Sequence, residues 1–334
     1  MATRAKKPTY RLAVRAALAD SMRADPDVYA IGECIQGEST WGPTAGLDKE
    51  FPGRVIDTPI SEAAIVGYAI GASIMGLRPV VEVMIGDFLT CCMDELVNQA
   101  AKVRLMSGGQ LKAPIVVRAA TGTGRSSAGQ HSQSFESWFI HVPGLVVAVP
   151  STAQDAYDML RNALAGEDPT LIFEYKRLYQ HRGEWVARDP LGPDDIGRAE
   201  IRRAGTDCSV VATGVMLREV EAAQDELGDE LSLEIIDPRY LWPLDLPTLV
   251  ESVERTGRLL VVEEVPGVGS FGAWLEAEVS RRCFGRLKAP PARLSGAHVP
   301  RAFAPELELT ALPRADAIAR AARQVVEGET HAAV

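Results

Sequence analysis

Short apolar runs alternate with longer amphipathic stretches along most of this chain. Apolar runs bounded by turn residues predict strands at 28–31, 55–56, 80–84, 115–118, 145–149 and 171–173. Between them the pattern predicts helices over 58–74, 89–106 and 152–165. Pro59 suits the first turn of the first of these, and Gly76 ends it. The pair Gly108-Gly109 stops the second. Unbroken apolar strands alternating with helices predict a parallel sheet covered on both faces. The stretch 185–200 changes character. There Arg188-Asp-Pro-Leu-Gly-Pro-Asp-Asp195 is polar, carries two prolines and reads as a linker. Beyond it the alternation restarts, with strands at 209–212, 233–236 and 259–262 and helices at 217–227, 246–253, 271–282 and 315–326. The fold class expected is therefore α/β with two domains. The first, over 1–187, holds a parallel sheet; a linker spans 188–200; a smaller α/β domain covers 201–328. The acidic, Ala-rich end after Val326, with a tail at 329–334, is expected to be disordered.

Composition narrows the partners more than the fold. At 334 residues the chain is long enough for two sizeable cores. A net charge of −10 disfavours nucleic acid and anionic membranes as partners. No apolar run approaches the roughly 20 residues needed to span a bilayer. The N-terminal Met1-Ala-Thr-Arg-Ala-Lys-Lys-Pro8 is basic but lacks the apolar core of a secretory signal. The five cysteines form no CxxC and no zinc spacing, so they read as reduced thiols of a cytoplasmic protein.

Three places carry candidate chemistry. Glu62 closes Arg54-Val-Ile-Asp-Thr-Pro-Ile-Ser-Glu62 at the head of a Gly/Ala-rich helix. Taken alone, such a glutamate is a dipole partner worth roughly a few tenths of a kcal/mol. Phe88 follows Asp87 just after the strand at 80–84. An aromatic ring at the C-terminal end of a strand can stack on a flat ligand, although a core phenylalanine opening the next helix is the plainer reading. Ile60 and Met84 could add apolar contact, as any core would also want. His131 lies in the polar loop Ser126-Ser-Ala-Gly-Gln-His-Ser-Gln-Ser134. A loop histidine, of ordinary pKa about 6.5, can exchange a proton at working pH, although a merely solvated histidine is the commoner explanation in general. His141, His181, His298 and His331 have no such setting.

In order, Asp57-Thr-Pro-Ile-Ser-Glu62, Gly76-Leu-Arg-Pro-Val-Val-Glu82, Asp87-Phe88 and Gln130-His-Ser-Gln133 give a firmer reading. Together they resemble the beta subunit of thiamine-diphosphate-dependent 2-oxo acid dehydrogenases of pyruvate, branched-chain 2-oxo acid or acetoin type, a transketolase-like family. The resemblance runs from about Tyr10 to about Ala321 and is most specific between Asp57 and Tyr179. It implies a pyrimidine-binding first domain and a transketolase C-terminal-like second one. Glu62 would share a proton with a pyrimidine nitrogen of the cofactor, so that the cofactor's own amino group can serve as base. Phe88 would cover the aminopyrimidine, with Ile60 and Met84 beside it. His131 would face the reaction centre and handle the substrate or the incoming lipoyl group. The family often holds potassium, which here would fall to the backbone oxygens of Ile115, Ala163, Leu164 and Gly166 and a group from Asp168. An ordinary helix C-cap explains Ala163-Leu-Ala-Gly-Glu-Asp-Pro169 equally well.

An absence is as telling. Thiamine enzymes hold the diphosphate through magnesium with a Gly-Asp-Gly motif, and this chain has none. The resemblance therefore implies an alpha subunit that supplies the magnesium site, in a heterotetramer of two alpha and two beta subunits. It further implies oxidative decarboxylation of a 2-oxo acid or cleavage of acetoin, and acyl transfer to a lipoyl-bearing acyltransferase. Three rivals stand beside it. A split transketolase or related carboligase shares the half-module but should need basic residues for a sugar phosphate, and Arg125 is the obvious one in the His131 loop. A non-catalytic scaffold would have no use for Glu62 and His131. A NAD(P)-binding dehydrogenase could use Gly267-Val-Gly-Ser-Phe-Gly272, but Arg293-Leu-Ser295 stands where an acidic ribose partner should follow. Those glycines are expected instead to allow close helix–strand packing. The chain departs from the family at Gly32-Glu-Cys-Ile-Gln-Gly37 through Trp41-Gly-Pro-Thr44 and at Cys91, both beside the expected substrate entrance.

Overall fold

The computed structural model describes residues 7–328, so the expectation for the tail at 329–334 lies outside the described residues. The chain divides into two compact units. One holds the residues up to Thr121 together with Phe139–Ile196; the other holds Gly122–Trp138 together with the residues from Gly197 onward. The segment carrying His131 thus belongs with the second unit.

The first unit contains β1 (Val28–Gly32), β2 (Val55–Asp57), β3 (Arg78–Val83), β4 (Val116–Thr121), β5 (Val146–Ala148) and β6 (Thr170–Tyr175). Within it they lie in the order β5-β6-β4-β3-β1-β2, every neighbouring pair parallel. Helix α1 (Tyr10–Ala24) packs on α6 (Ala153–Ala165). A capping box between Thr152 and Asp155 starts α6. The short α2 (Leu47–Glu50), α3 (Glu62–Ile74) and the short α4 (Val103–Met106) fill the connections, and α5 (Glu136–Ile140) begins in the segment assigned to the second unit and ends in the first. Because the strands are parallel, the residues that follow β1, β2 and β3 leave the sheet along one edge. That edge carries Glu33, Glu62 and Phe88.

Two helix expectations are corrected here. Residues 58–61 are not helical: the amide of Thr58 donates to the carbonyl of Gly32 at 3.0 Å, which keeps this stretch bound to the end of β1 until Glu62. The single helix expected over 89–106 is three pieces: a 3-10 turn at Gly86–Cys92, a π-helical turn at Glu95–Ala100, then α4. The hydroxyl of Thr90 donates to the carbonyl of Asp87 and tightens the first piece. The Asp94 carboxylate accepts from Asn98 and from Gln99, four and five residues on, which suits the wider second piece.

The strands at the middle of this sheet carry charge. Arg118 is 1 % exposed. Its guanidinium donates to both oxygens of Glu174 at 2.7 and 2.8 Å and to Glu82 at 2.8 Å. The hydroxyl of Tyr179 donates to Glu174 at 2.9 Å. Burial opposes the Arg118 charge, but the two carboxylates overcome it and hold its pKa above the ordinary arginine value. Burial likewise pushes the Glu82 carboxyl up, against the pull of Arg118.

In the second unit β7 (Glu200–Arg203), β8 (Cys208–Ala212), β9 (Leu233–Asp237), β11 (Leu259–Pro266) and β12 (Ala292–Gly296) form a sheet in the order β12-β11-β8-β9-β7. It is parallel apart from β7, which runs antiparallel to β9. The short β10 (Tyr240–Trp242) follows β9 in the chain. Helices α7 (Met216–Leu227), α8 (Leu246–Thr256), α9 (Phe271–Arg282), α10 (Pro305–Thr310) and α11 (Ala315–Glu327) complete the unit, with α7 against α11. Among the described residues no helix is long and apolar enough to cross a membrane.

Candidate active site

Glu62 is the first residue of α3, and Ser61 before it makes no side-chain cap. A carboxylate in that first turn meets the positive end of the helix dipole. The ground beneath it is tied to the sheet edge. Asp57 accepts from the amides of Ile35 and Gln36 at 2.7 and 3.1 Å, and the Gln36 side chain donates to the carbonyl of Val55 at 2.7 Å. The indole of Trp41 donates to the carbonyl of Met84 at 2.7 Å. The loop that departs from the family pattern is thus fastened to the ends of β2 and β3.

Glu33, from that same loop, is a residue to which sequence reasoning gave no role. It is 6 % exposed, and its Oε1 is buried with no hydrogen-bond partner among the described residues. Burial pushes its carboxyl up, the neighbouring Glu62 pushes it up further, and the amide of Ser61 works the other way. The signal available was positional: a carboxylate directly after an apolar parallel strand stands at the edge where such sheets bind ligands.

Helix α3 packs against the 3-10 turn that bears Phe88. Phe88 is half-buried, its amide donating to the carbonyl of Ile85 at 2.9 Å. The nearby Cys92 thiol is buried and pushed up to about 12, by desolvation first and then by the carboxylates of Glu95 and Glu62. Glu33, Glu62 and the Phe88 turn are therefore one neighbourhood. Met84 is half-buried, while Ile60 is 82 % exposed, which removes the core reading for it. An apolar cleft of about 340 Å³, lined by Ile31, Ile56, Thr58, Pro59, Ile65 and Tyr68 among others, adjoins the start of α3. A carboxyl backed by a second, buried carboxyl, with an aromatic ring and apolar surface beside it, suits proton sharing with a flat heterocycle. Among the described residues no His, Cys, Asp and Glu cluster could hold a metal.

His131 is half-buried in a loop whose ends meet, the amide of Gly122 donating to the carbonyl of Gln133 at 3.2 Å. The second unit also contains a cavity of about 400 Å³, lined by Gln133, Ser134, Trp138, Val268, His298 and Arg301 among others.

The oxygens considered for potassium are already engaged. Arg78 donates to the carbonyls of Leu164 at 3.1 Å and Gly166 at 2.7 Å. Ile115 accepts from the amide of Thr170, Ala163 from that of Gly166, and the Asp168 carboxylate is paired with Arg104 at 2.6 Å. A second cation at Leu164 and Gly166 would meet the Arg78 charge at close range, a repulsion of about 4 kcal/mol at 4 Å near a protein surface. Two of the oxygens considered are thus shared with the Arg78 guanidinium.

The glycine fingerprint at Gly267–Gly272 is filled by the protein itself. Ser270 caps α9 through the amide of Ala273 at 3.2 Å. The buried Glu263 carboxylate accepts from the amide of Gly272 at 3.0 Å and from Ser295 at 2.7 Å. A side chain at Gly272 would approach Glu263 and Arg293 to 2.9 Å. The helix start that would cradle a pyrophosphate thus holds an internal carboxylate, and the glycines serve close packing.

Comparison with known proteins identifies the family. Residues 6–182 match the pyrimidine-binding domain of transketolase, and residues 197–318 match the transketolase C-terminal domain. The chain is 40% identical to the beta subunit of acetoin:2,6-dichlorophenolindophenol oxidoreductase of Cupriavidus necator, across 98% of this chain and all of that one. It is 39% identical to the pyruvate dehydrogenase E1 component subunit beta of Rhizobium meliloti, over 95% of this chain and 69% of that one. Among solved structures, a split-gene transketolase in an inactive beta4 tetramer superposes with a TM-score of 0.76 at 21% identity, over 97% of this chain and 99% of that one, a likeness of fold alone. With the fold, the Glu62 neighbourhood and relatives matched along their length, this chain belongs to the transketolase-like beta subunits of thiamine-diphosphate-dependent 2-oxo acid and acetoin dehydrogenases.

Proposed function

We propose that this chain provides the aminopyrimidine half of a thiamine diphosphate site whose magnesium and diphosphate half comes from an alpha subunit. The observation that carries the proposal is Glu62 at the start of α3, with the buried Glu33 carboxyl behind it and the Phe88 turn packed against the helix. When bound, thiamine diphosphate supplies a carbon nucleophile that attacks a carbonyl. The chain's own part is to hold a proton at the Glu62 carboxyl against a pyrimidine nitrogen, to cover the ring with Phe88, and to keep water away with Ile60 and Met84. His131 serves the substrate side, exchanging a proton with the substrate or with the lipoyl group that takes the acyl unit. The working assembly is a cytoplasmic heterotetramer of two alpha and two beta subunits, delivering acyl groups to a lipoyl-bearing acyltransferase. Its substrate is a 2-oxo acid or acetoin, and the departures at 32–44 and Cys91 argue against assuming pyruvate. Potassium is left out of the proposal, because Arg78 already holds two of the carbonyls considered for it. A split transketolase is the lesser reading: it rests on likeness of fold, and Arg125 would be its obvious phosphate partner in the His131 loop.

The test is Glu62→Gln in the complex with the alpha subunit. Glutamine keeps the shape but cannot share the proton. Assembly should survive while hydrogen–deuterium exchange at the thiazolium carbon and turnover both fall by at least ~100-fold. Exchange at the wild-type rate would reduce Glu62 to a helix-dipole partner.

A further inference from the structure

The loop that carries His131 has an uncommon backbone. Gly122, Gly124, Ser126 and Ala128 lie at φ of +80°, +87°, +51° and +60°, and two of these are not glycine. L-residues seldom adopt this region without compensation from their surroundings. Backbone bends of this kind gather amide groups into concavities that bind anions. Here the anion belongs to the protein. One oxygen of Glu308, on α10, accepts from the amide of Gly124 at 2.9 Å, and the other accepts from Ser126 at 3.1 Å. Glu264, in β11, accepts from the amide of Thr123 at 2.8 Å. Both glutamates are 1 % exposed, and neither has a part in the chemistry described above.

The rest of the segment is fastened to the same neighbourhood. The amide of Phe271 donates to the hydroxyl of Ser137 at 3.0 Å. A side chain at Gly129 would touch the carbonyl of Arg301 and the ring of Pro300. Arg301, itself buried, donates to the carbonyls of Glu264 at 2.8 Å and Ala297 at 3.2 Å, bracing the strand that bears one of the two carboxylates. Hydrogen bonds to an ionised acceptor are roughly twice as strong as neutral ones. One rigid carboxylate spanning two amides with one residue between them also fixes the turn there.

We infer that Glu308 and Glu264 are positioning residues for the reaction. They hold the 122–128 backbone in its left-handed form and so set where the second unit presents His131. This rests on the proposed role of His131. A glutamine at 308 would keep one acceptor and turn an NH2 group toward the second amide, so the shape survives while the clamp is lost.

The experiment uses Glu308→Gln in the full chain assembled with its alpha subunit. Amides over 122–134 should exchange with deuterium about 10- to 100-fold faster, the effect of losing a charge-assisted hydrogen bond, with the remainder of the second unit unchanged. Acyl transfer to an artificial acceptor should lose about 10-fold or more in kcat with little change in KM, and thiazolium exchange should stay at the wild-type rate. Adding His131→Ala to Glu308→Gln should slow turnover no further than His131→Ala alone, because the two act through one group. Unchanged loop exchange, or faster exchange across the whole second unit, overturns the clamp. If the loop loosens but His131→Ala by itself leaves turnover untouched, the clamp is real and the reading of His131 falls, and with it the positioning role. Should the variant fail to assemble, Glu264→Gln turns the charged acceptor of the Thr123 amide into a neutral one and must give the same ordering of effects in milder form.

Discussion

Glu33 is a buried carboxyl that feels the charge of Glu62. Burial and the Glu62 charge together raise its pKa above the ordinary 4.5. A carboxyl raised in the folded state binds its proton more tightly there than in the unfolded chain. Its contribution to stability is complete below the unfolded value and is lost as pH rises through the folded one. At pH 8 the raised pKa of Glu33 therefore works against the fold, and near pH 4 it does not. Glu33→Gln should raise the Tm at pH 8, with the gain shrinking toward zero near pH 4, as read by calorimetry on the same preparation at both values. A gain of equal size at the two values would show that glutamine packs better and that the charge was never the difficulty. The same residue marks the limit of reading the site from sequence. Glu62, Phe88 and His131 stand inside recognisable strings. Glu33 stands in the loop where the string breaks, and only the adjacency of β1 and β2 brings it to Glu62.

At the scale of elements, charge decided where sequence reading stopped short. The apolar pattern ends one strand at Arg118 and another at Phe173, each where a charge intervenes. The structure carries β4 on to Thr121 and β6 on to Tyr175, because the charges on neighbouring strands neutralise one another. That pairing spans residues 56 positions apart, so no local window contains it. The edge strand β7 was missed for a related reason: Glu-Ile-Arg-Arg reads as polar, and as an edge it is half open to solvent. Helix α1 is legible in its buried period of Tyr10, Val14, Ala17, Leu18 and Met22. The helix expected at 89–106 failed because side-chain bonds over three and five residues set its pitch. The Arg118 cluster also makes a prediction at this scale. Arg118→Met fills the space but leaves Glu82 and Glu174 buried without a counter-charge, and it should cost about 3–5 kcal/mol in urea unfolding. Changing both carboxylates to apolar residues of similar volume in the same chain should recover most of that, since buried ion clusters replaced whole by hydrophobic packing are often neutral. A loss under about 1 kcal/mol for the single change would mean the carboxyls take up protons without penalty and the cluster adds little.

For the whole molecule, the balance of what is present and what is missing predicts how it behaves alone. The chain has a carboxyl pair and an aromatic turn, to which the proposed function gives the flat, weakly charged end of a thiamine cofactor. It has no Gly-Asp-Gly motif, and its described residues hold no cluster suited to a metal. Its net charge of −10 does nothing to attract a diphosphate. The one glycine-rich helix start that might have held phosphate is closed by Glu263. On the proposed division of labour, most of the cofactor's charge, and with it the strongest contacts available to any binder, is met by the alpha subunit. An aromatic stack contributes only about 0.5–1.5 kcal/mol beyond buried area, and a Kd of 1 mM already needs about 4 kcal/mol of net binding. The isolated chain should therefore bind thiamine diphosphate with a Kd of roughly 1 mM or weaker, magnesium present or not. Mixed with an alpha subunit carrying Gly-Asp-Gly, it should bind in the micromolar range, and only in the presence of magnesium. Titration calorimetry on the two preparations separates the cases. Micromolar binding by the isolated chain would place a diphosphate anchor within this sequence and end the division of labour between the two subunits.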